Sequence, residues 1–441
     1  MVPDPQGIPL AIQPRDRRIL AAFADDTIRK GLAEKIFVVC VLVFSTAAFV
    51  NLLPGESGVE FEEQGKLFAQ IIWAFLYLLM LFLVRNRFAE FFRMMWGNKP
   101  LVALLAWSCV SVVWSVDRPV TIRHFGAFLL SSLFGVYLAF RYRTGEQLRL
   151  VSIALWIVIT SSVAACLIFP QYGIQVGDRF EQVGWQGVVS GKNTLARLSV
   201  LAALILALYF AKRIRRFIVF VGIVLLFFLI ILTQAKTSVV YFILGLLAFP
   251  FFLAFLRNPT GRRRIMVLAL LLFGVLATWT YYNWENFTYS LGKDPELTGR
   301  VALWGLSVTW IAEKPFFGYG YDGFWSNYYG PAADFRIASG WLVAPHAHNG
   351  FINLWLDLGV IGVLLFVLGF IITYRKAIGF ADITKSVEGM WPVAFLTFYT
   401  VYSFTETNFL SRNDLLWILY VAMMFSVRTS KPLAVGSREI T

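Results

Sequence analysis

Three histidines, His124, His346 and His348, are the only side chains in the 441 residues whose ordinary titration falls near neutral pH. Two of them lie in Pro345-His-Ala-His-Asn-Gly350. A histidine there could take the proton from an acceptor hydroxyl. The same segment could equally be a polar cap, with Asn349 opening a helix. Metal binding is a weaker third reading. Zinc wants three or four ligands, yet no cysteine is near and the neighbouring carboxylates are scattered along the chain. The expectation is therefore a site with neither metal nor cofactor. Cys40, Cys109 and Cys166 all lie in apolar runs and offer neither a disulfide framework nor a ligand spacing.

Five cations, Arg123, Lys192, Arg197, Lys236 and Arg300, stand at the ends of apolar runs on the side where positive charge is otherwise sparse. An arginine fork matches the oxygens of a pyrophosphate, and a lysine serves it as a point charge. Any one of these cations could instead reach lipid headgroups. Asp357 and Glu406 are acids close to apolar runs, where an ionised group is costly and calls for a function or a partner. Gly318, Gly320 and Gly323 mark turns between aromatic residues. Tyr319, Tyr321 and Trp325 are candidate rings for stacking on sugars, with an ordinary surface loop as the plain alternative.

Positioning such a site requires a scaffold, and the composition points to lipid. Hydrophobic residues make up 58% of the chain and charged residues 15%, against about 25% charged in a typical soluble domain. Runs near the spanning length of about 20 residues suggest about 12 transmembrane helices in an all-α polytopic protein. They cover 36–53, 67–84, 100–115, 125–140, 148–169, 194–211, 217–232, 238–256, 265–282, 351–374, 391–404 and 415–427. Basic clusters such as Arg85 with Arg87, Arg141 with Arg143, and Arg262 to Arg264 fall in alternate connections, which reads as cytoplasmic. Both ends then lie inside, and no cleavable leader is expected ahead of the first span.

One long outward connection, 283–350, is far above the few residues usual between elements. Within it Val301, Trp304, Val308 and Ile311 recur at helical spacing, and Pro315 ends the pattern. The expected plan is a tail at 1–35, nine spans within 36–282, an outward catalytic loop at 283–350, three spans within 351–428 and a tail at 429–441. The net charge of +13 is dispersed among connections rather than gathered on one face, which argues against nucleic acid. A transporter of polysaccharide or lipid-linked sugar is a competing class, but the two halves show no similarity and the central cytoplasmic connection is tiny.

Ordered blocks sharpen this reading. Thr298-Gly-Arg-Val-Ala-Leu-Trp304, Pro315-Phe-Phe-Gly-Tyr-Gly320, His346-Ala-His-Asn-Gly350 and Leu358-Gly-Val-Ile-Gly362 together resemble the O-antigen ligase and polymerase superfamily. Gly318-Tyr-Gly-Tyr-Asp-Gly-Phe-Trp325 and Trp185-Gln-Gly-Val-Val-Ser-Gly-Lys-Asn193 are most similar to its exopolysaccharide polymerisation branch. The resemblance implies a C-type-like, metal-independent, inverting glycosyltransferase of a bacterial inner membrane, with its site facing the periplasm. The implied donor is a glycan on undecaprenyl pyrophosphate, and the implied acceptor a glycan or lipid-linked hydroxyl. Membrane lipids and a chain-length regulator are the further candidate partners. Arg300 would hold the pyrophosphate, and His346 or His348 would act as base or orient the acceptor. Lys192 matches the cation of its block, whereas Gly191 and Ala235 depart from the pattern. Polymerisation and ligation to lipid A core both remain open at this point.

The charge asymmetry makes a testable statement. A cysteine placed at Ser326 should react with an impermeant thiol reagent added to intact spheroplasts. Labelling only after lysis would reverse the orientation.

Overall fold

The computed structural model describes residues 31–49, 59–175, 183–211, 215–258, 300–325 and 346–427, with scattered positions between 260 and 282. Most of the expected tails, the candidate span 265–282 and much of the 283–350 segment lie outside the described residues. What is described is almost wholly helical, apart from a two-residue pairing of β1 (Ile174–Gln175) with β2 (Gly184–Trp185).

The helices are α1 (31–44), α2 (Val59–Val84), α3 (Phe88–Trp96), α4 (Lys99–Val110), α5 (Arg118–Arg141), α6 (Thr144–Ile168), the single turn α7 (Pro170–Gly173) and α8 (Lys192–Ala211). They continue with α9 (Arg216–Leu232), α10 (Lys236–Arg257), α11 (Arg300–Glu313), α12 (Gly350–Thr384), α13 (Val387–Ser403) and α14 (Leu415–Ser426). Among the described residues six helices are long and apolar enough to cross a membrane. Shorter apolar helices, Lys99–Val113, Arg216–Leu232 and Leu415–Ser426, stand beside them. The composition and these helices make the chain a multi-pass helical membrane protein.

Lipid replaces water as solvent here, so apolarity alone does not bring helices together; close packing at small residues does. Gly135 shows this where α5 meets α14. A Cβ at that position would lie 2.7 Å from Val421 Cβ and 2.8 Å from Ile418 O. The outward rims of several helices stay apolar and exposed, as at Phe75, Leu78, Phe217 and Phe251.

α11 forms where its blocks suggested, from Arg300 until Glu313, just ahead of Pro315. Its buried stripe differs from the expected one. Leu303, Ser307 and Ile311 face inward, while Val308 is 56% exposed. The helix packs against α12.

α12 is broken. Gly359 has φ 66° and ψ −174°, a backbone region open essentially to glycine alone. Backbone groups freed inside an apolar bundle need partners, and the segment 315–320 supplies them. Tyr319 N donates to Leu356 O at 2.7 Å, Gly320 N to Asp357 O at 2.9 Å, and Val360 N to Pro315 O at 2.8 Å. Three indoles brace the join. Trp107 donates to Leu358 O at 3.0 Å, Trp114 to Phe317 O at 3.0 Å, and Trp355 to Pro315 O at 2.9 Å.

A Cβ at position 359 would lie 2.1 Å from Phe316 O. Gly359→Ala should therefore cost about 1–3 kcal/mol in backbone strain alone and lower the apparent thermal midpoint in detergent. An unchanged midpoint would mean that the join is not under this constraint.

Candidate functional site

The broken helix opens on the histidine segment. Asn349 caps α12, accepting from Phe351 N at 3.0 Å and Ile352 N at 3.2 Å, and its amide donates to Phe404 O at 3.1 Å. The capping role expected for Asn349 therefore exists, and the two histidines are held just ahead of it. Ala347 between them is fixed from both sides. Its carbonyl accepts from Trp304 Nε1 at 2.9 Å, and its N–H donates to Asn353 Oδ1 at 3.3 Å. His348 pays for this placement with a left-handed φ of 48°, a strain that non-glycine residues tolerate only where the surroundings over-determine them.

His346 and His348 lie ring against ring, 4.2 Å between centroids. His348 N donates to His346 Nδ1 at 3.2 Å. Because Nδ1 of His346 accepts, its proton belongs on Nε2. His348 Nδ1 lies 3.5 Å from Glu406 Oε2 and 3.5 Å from Arg300 Nη2. Arg300 opens α11 and donates to Thr405 O at 2.8 Å and to Glu406 Oε1 at 3.2 Å. Arg300, His346, His348 and Glu406 thus form one centre from three distant stretches of chain.

More cations border it. Arg197, on the first turns of α8, donates to Asn408 Oδ1 and lies 3.4 Å from Asp414 Oδ2. Asp414 in turn caps α14, accepting from Leu416 N at 2.8 Å. Lys192 is buried, boxed in by Gly184 and the Thr233 turn that leads into Lys236 and α10. The start of α10 is tied to the centre by Tyr402 donating to Ser238 Oγ at 2.7 Å and by Tyr241 paired with Thr405 at 3.0 Å. Arg123 is exposed and takes part in none of the described contacts of this centre.

The candidate sugar-stacking rings require correction. Tyr319, Tyr321 and Trp325 are almost completely buried. Tyr319 donates to Trp310 O at 2.9 Å and Tyr321 to Leu410 O at 2.7 Å. Trp325 packs edge-on against Phe324 at 4.9 Å. Burial makes these rings the filling of the segment 319–325, with no face offered to a ligand among the described contacts.

Electrostatics divides the two histidines' neighbours. Burial pushes His346 down to about 3, and the charges of His348, Arg300 and Arg197 act the same way against Glu406. His346 is thus neutral across physiological pH. Burial pushes Glu406 upward, but the His348 hydrogen bond and the Arg300 charge outweigh it and bring the group down to about 2. Glu406 is therefore ionised.

The sequence reading lacked a carboxylate near the histidines, and the structure provides one. Donor atoms of His346, His348 and Glu406 lie within 4.8 Å of one another, a set that could hold a metal ion. Two features work against it. The Arg300 guanidinium already occupies the Glu406 carboxylate, and His346 Nδ1 is engaged by the backbone. Glu406 had been noticed only as an acid near an apolar run. Its pairing with residues some sixty and a hundred positions earlier carries no local signal. Asp322 and Asn353 were not singled out at all, although Asp322 stands among the turn glycines.

With this geometry in view, the comparisons with known proteins become specific. Residues 221–367 match a family model described as O-antigen ligase. That stretch contains Arg300, Asp322, His346 and His348, whereas Arg197 and Glu406 lie outside it. The chain is also 29% identical over 117 residues to the exopolysaccharide production protein ExoQ of Rhizobium meliloti (strain 1021). The matched stretch covers 25% of this chain and 26% of that protein's length. The two matches support the O-antigen ligase and polymerase superfamily, on its exopolysaccharide branch.

The depressed Glu406 gives a pH test with a definite sign. A carboxylate lowered from 4.5 to about 2 stabilises the fold above its ordinary value, and that contribution fades as pH falls between the two. Wild type should unfold at a higher temperature than Glu406→Gln at about pH 6, and the gap should close toward about pH 3. A gap independent of pH would remove the ion cluster as its cause.

Proposed function

We propose that this protein is a glycosyltransferase of the bacterial inner membrane, acting on the periplasmic face in exopolysaccharide polymerisation. It transfers a glycan from undecaprenyl pyrophosphate to a hydroxyl of an acceptor glycan. The observation that carries the reading is the convergence of Arg300, His348 and Glu406 at the mouth of the broken helix.

In this reading the donor pyrophosphate lies against Arg300, with Arg197, Lys192 and Lys236 adding positive field. Pyrophosphate leaves readily once its charge is balanced, so fixed cations can do by electrostatics what a metal does elsewhere. The acceptor oxygen attacks the anomeric carbon as the bond to the phosphate oxygen breaks, and the carbon inverts. The hydroxyl proton passes to Nε2 of His348. Glu406 accepts from Nδ1–H of His348, which puts the basic lone pair on Nε2. His346, neutral with its proton on Nε2, donates a hydrogen bond to the reacting sugars. No step uses a metal. Ligation of the finished glycan to lipid A core is the second reading, favoured by the description of the matching family model. Lipid-linked intermediates from a deletion strain, weighed by mass spectrometry, separate the two.

Three variants of purified protein test the mechanism with a lipid-linked donor. His348→Ala should lower turnover by about 10²–10⁴-fold, the usual contribution of a general base. Arg300→Ala should abolish transfer at near-normal protein levels, with Arg300→Lys rescuing only in part because the fork is lost. Activity should persist in EDTA. Loss on chelation with recovery on a divalent ion would replace this mechanism by a metal one.

A further inference from the structure

The third histidine belongs to a second polar centre that the proposed transfer does not use. His124 Nδ1 lies 2.8 Å from Asp322 Oδ2. Arg412 pairs with the same carboxylate. These residues come from α5, from the turn after α11 and from the loop ahead of α14. Arg412 and His124 keep the Asp322 carboxyl below its ordinary range against its burial. Asn353 joins the two centres, its Oδ1 accepting from Ala347 N at 3.3 Å and its Nδ2 donating at 3.0 Å to Asp357, whose carbonyl accepts from Gly320 N at 2.9 Å in the turn ahead of Asp322.

The turn that presents Asp322 is built tightly. Tyr321 N donates to Ser111 Oγ at 3.0 Å, Thr121 Oγ1 donates to Tyr321 O at 3.0 Å, and the Tyr321 ring stacks on Phe128 at 4.8 Å. Next along the chain, Asp322 takes a left-handed φ of 52°. Strain of this kind at a non-glycine residue is one mark of a functional position. Yet the carboxylate is not sealed in. Asp322 remains 27% exposed and Arg412 39%, so both retain room for a ligand.

Around His124 the Asp322 and Arg412 charges cancel. Such a pair combines both polarities. It offers acceptors and forked donors together, which is what adjacent sugar hydroxyls need, since each hydroxyl both donates and accepts. His124, with Nδ1 turned to Asp322, has Nε2 left for the same ligand.

We propose that Asp322, Arg412 and His124 form the subsite that binds the hydroxyl-rich end of the acceptor glycan and holds it beside the His346–His348 pair. The proposal rests on the transferase reading above. The acceptor end is read by hydrogen bonds rather than by the buried aromatic rings. The three residues bind substrate and leave proton transfer to His348.

The test uses full-length purified protein, undecaprenyl-pyrophosphate glycan extracted from producing cells, and a tagged oligosaccharide released from the same polysaccharide. Asp322→Asn and His124→Gln should each raise the acceptor KM about tenfold or more, the loss expected for a hydrogen bond involving a charged group. Turnover at saturating acceptor should stay near wild type, as should competition by undecaprenyl pyrophosphate for the donor site. Should Asp322→Asn fail to accumulate, Arg412→Lys carries the same test, because it keeps the ion pair and loses the fork. Unchanged acceptor KM, or a parallel loss of donor affinity, would overturn the subsite. Wild-type protein that transfers nothing from this donor would instead overturn the transferase reading itself.

Discussion

Backbone groups cannot go unpaired inside an apolar bundle, and the break in α12 at Gly359 creates several that need partners. The segment 315–320 meets this demand, and much of the site follows from it. Once Tyr319 and Gly320 are bonded to Leu356 and Asp357, the chain on either side has little freedom. Upstream, α11 is drawn against α12, which brings Arg300 to the histidine segment. Downstream, Tyr321 and Asp322 are carried across to α5. The residue that breaks the helix thus organises both polar centres, although it touches neither.

The site is also a problem of charge at the edge of a low-dielectric region. An isolated ion there would be too costly, so charged groups occur with partners. Arg300 lies against Glu406, Arg197 against Asp414, and Arg412 against Asp322. Such pairs are poor sources of stability, because desolvation offsets attraction.

Several local features were legible in the amino-acid sequence. The cap at Asn349, the start of α11 at Arg300 and its end ahead of Pro315 all follow from short-range rules of capping and proline geometry. The polytopic character follows from composition and apolar run length. Run length was less informative about the number of spans, because a run can form a short helix, as in Leu415–Ser426, or a helix interrupted within itself, as in α12. The face that α11 buries was displaced from the expected stripe, since α12 decides which side is covered.

The sequence by itself determined which side chains were available: three histidines, a few cations at the ends of apolar runs, and a glycine-marked turn rich in aromatics. Their identity sets what chemistry is possible, and helical periodicity sets which neighbours share a face. Only the tertiary structure decided that Glu406 joins His348, that Arg412 and His124 share Asp322, and that the three candidate stacking rings are buried. The physical reason is that these contacts join residues from about sixty to about two hundred positions apart. No local energy term links such residues, and they meet only because helix packing and the satisfied break in α12 leave the chain no other arrangement.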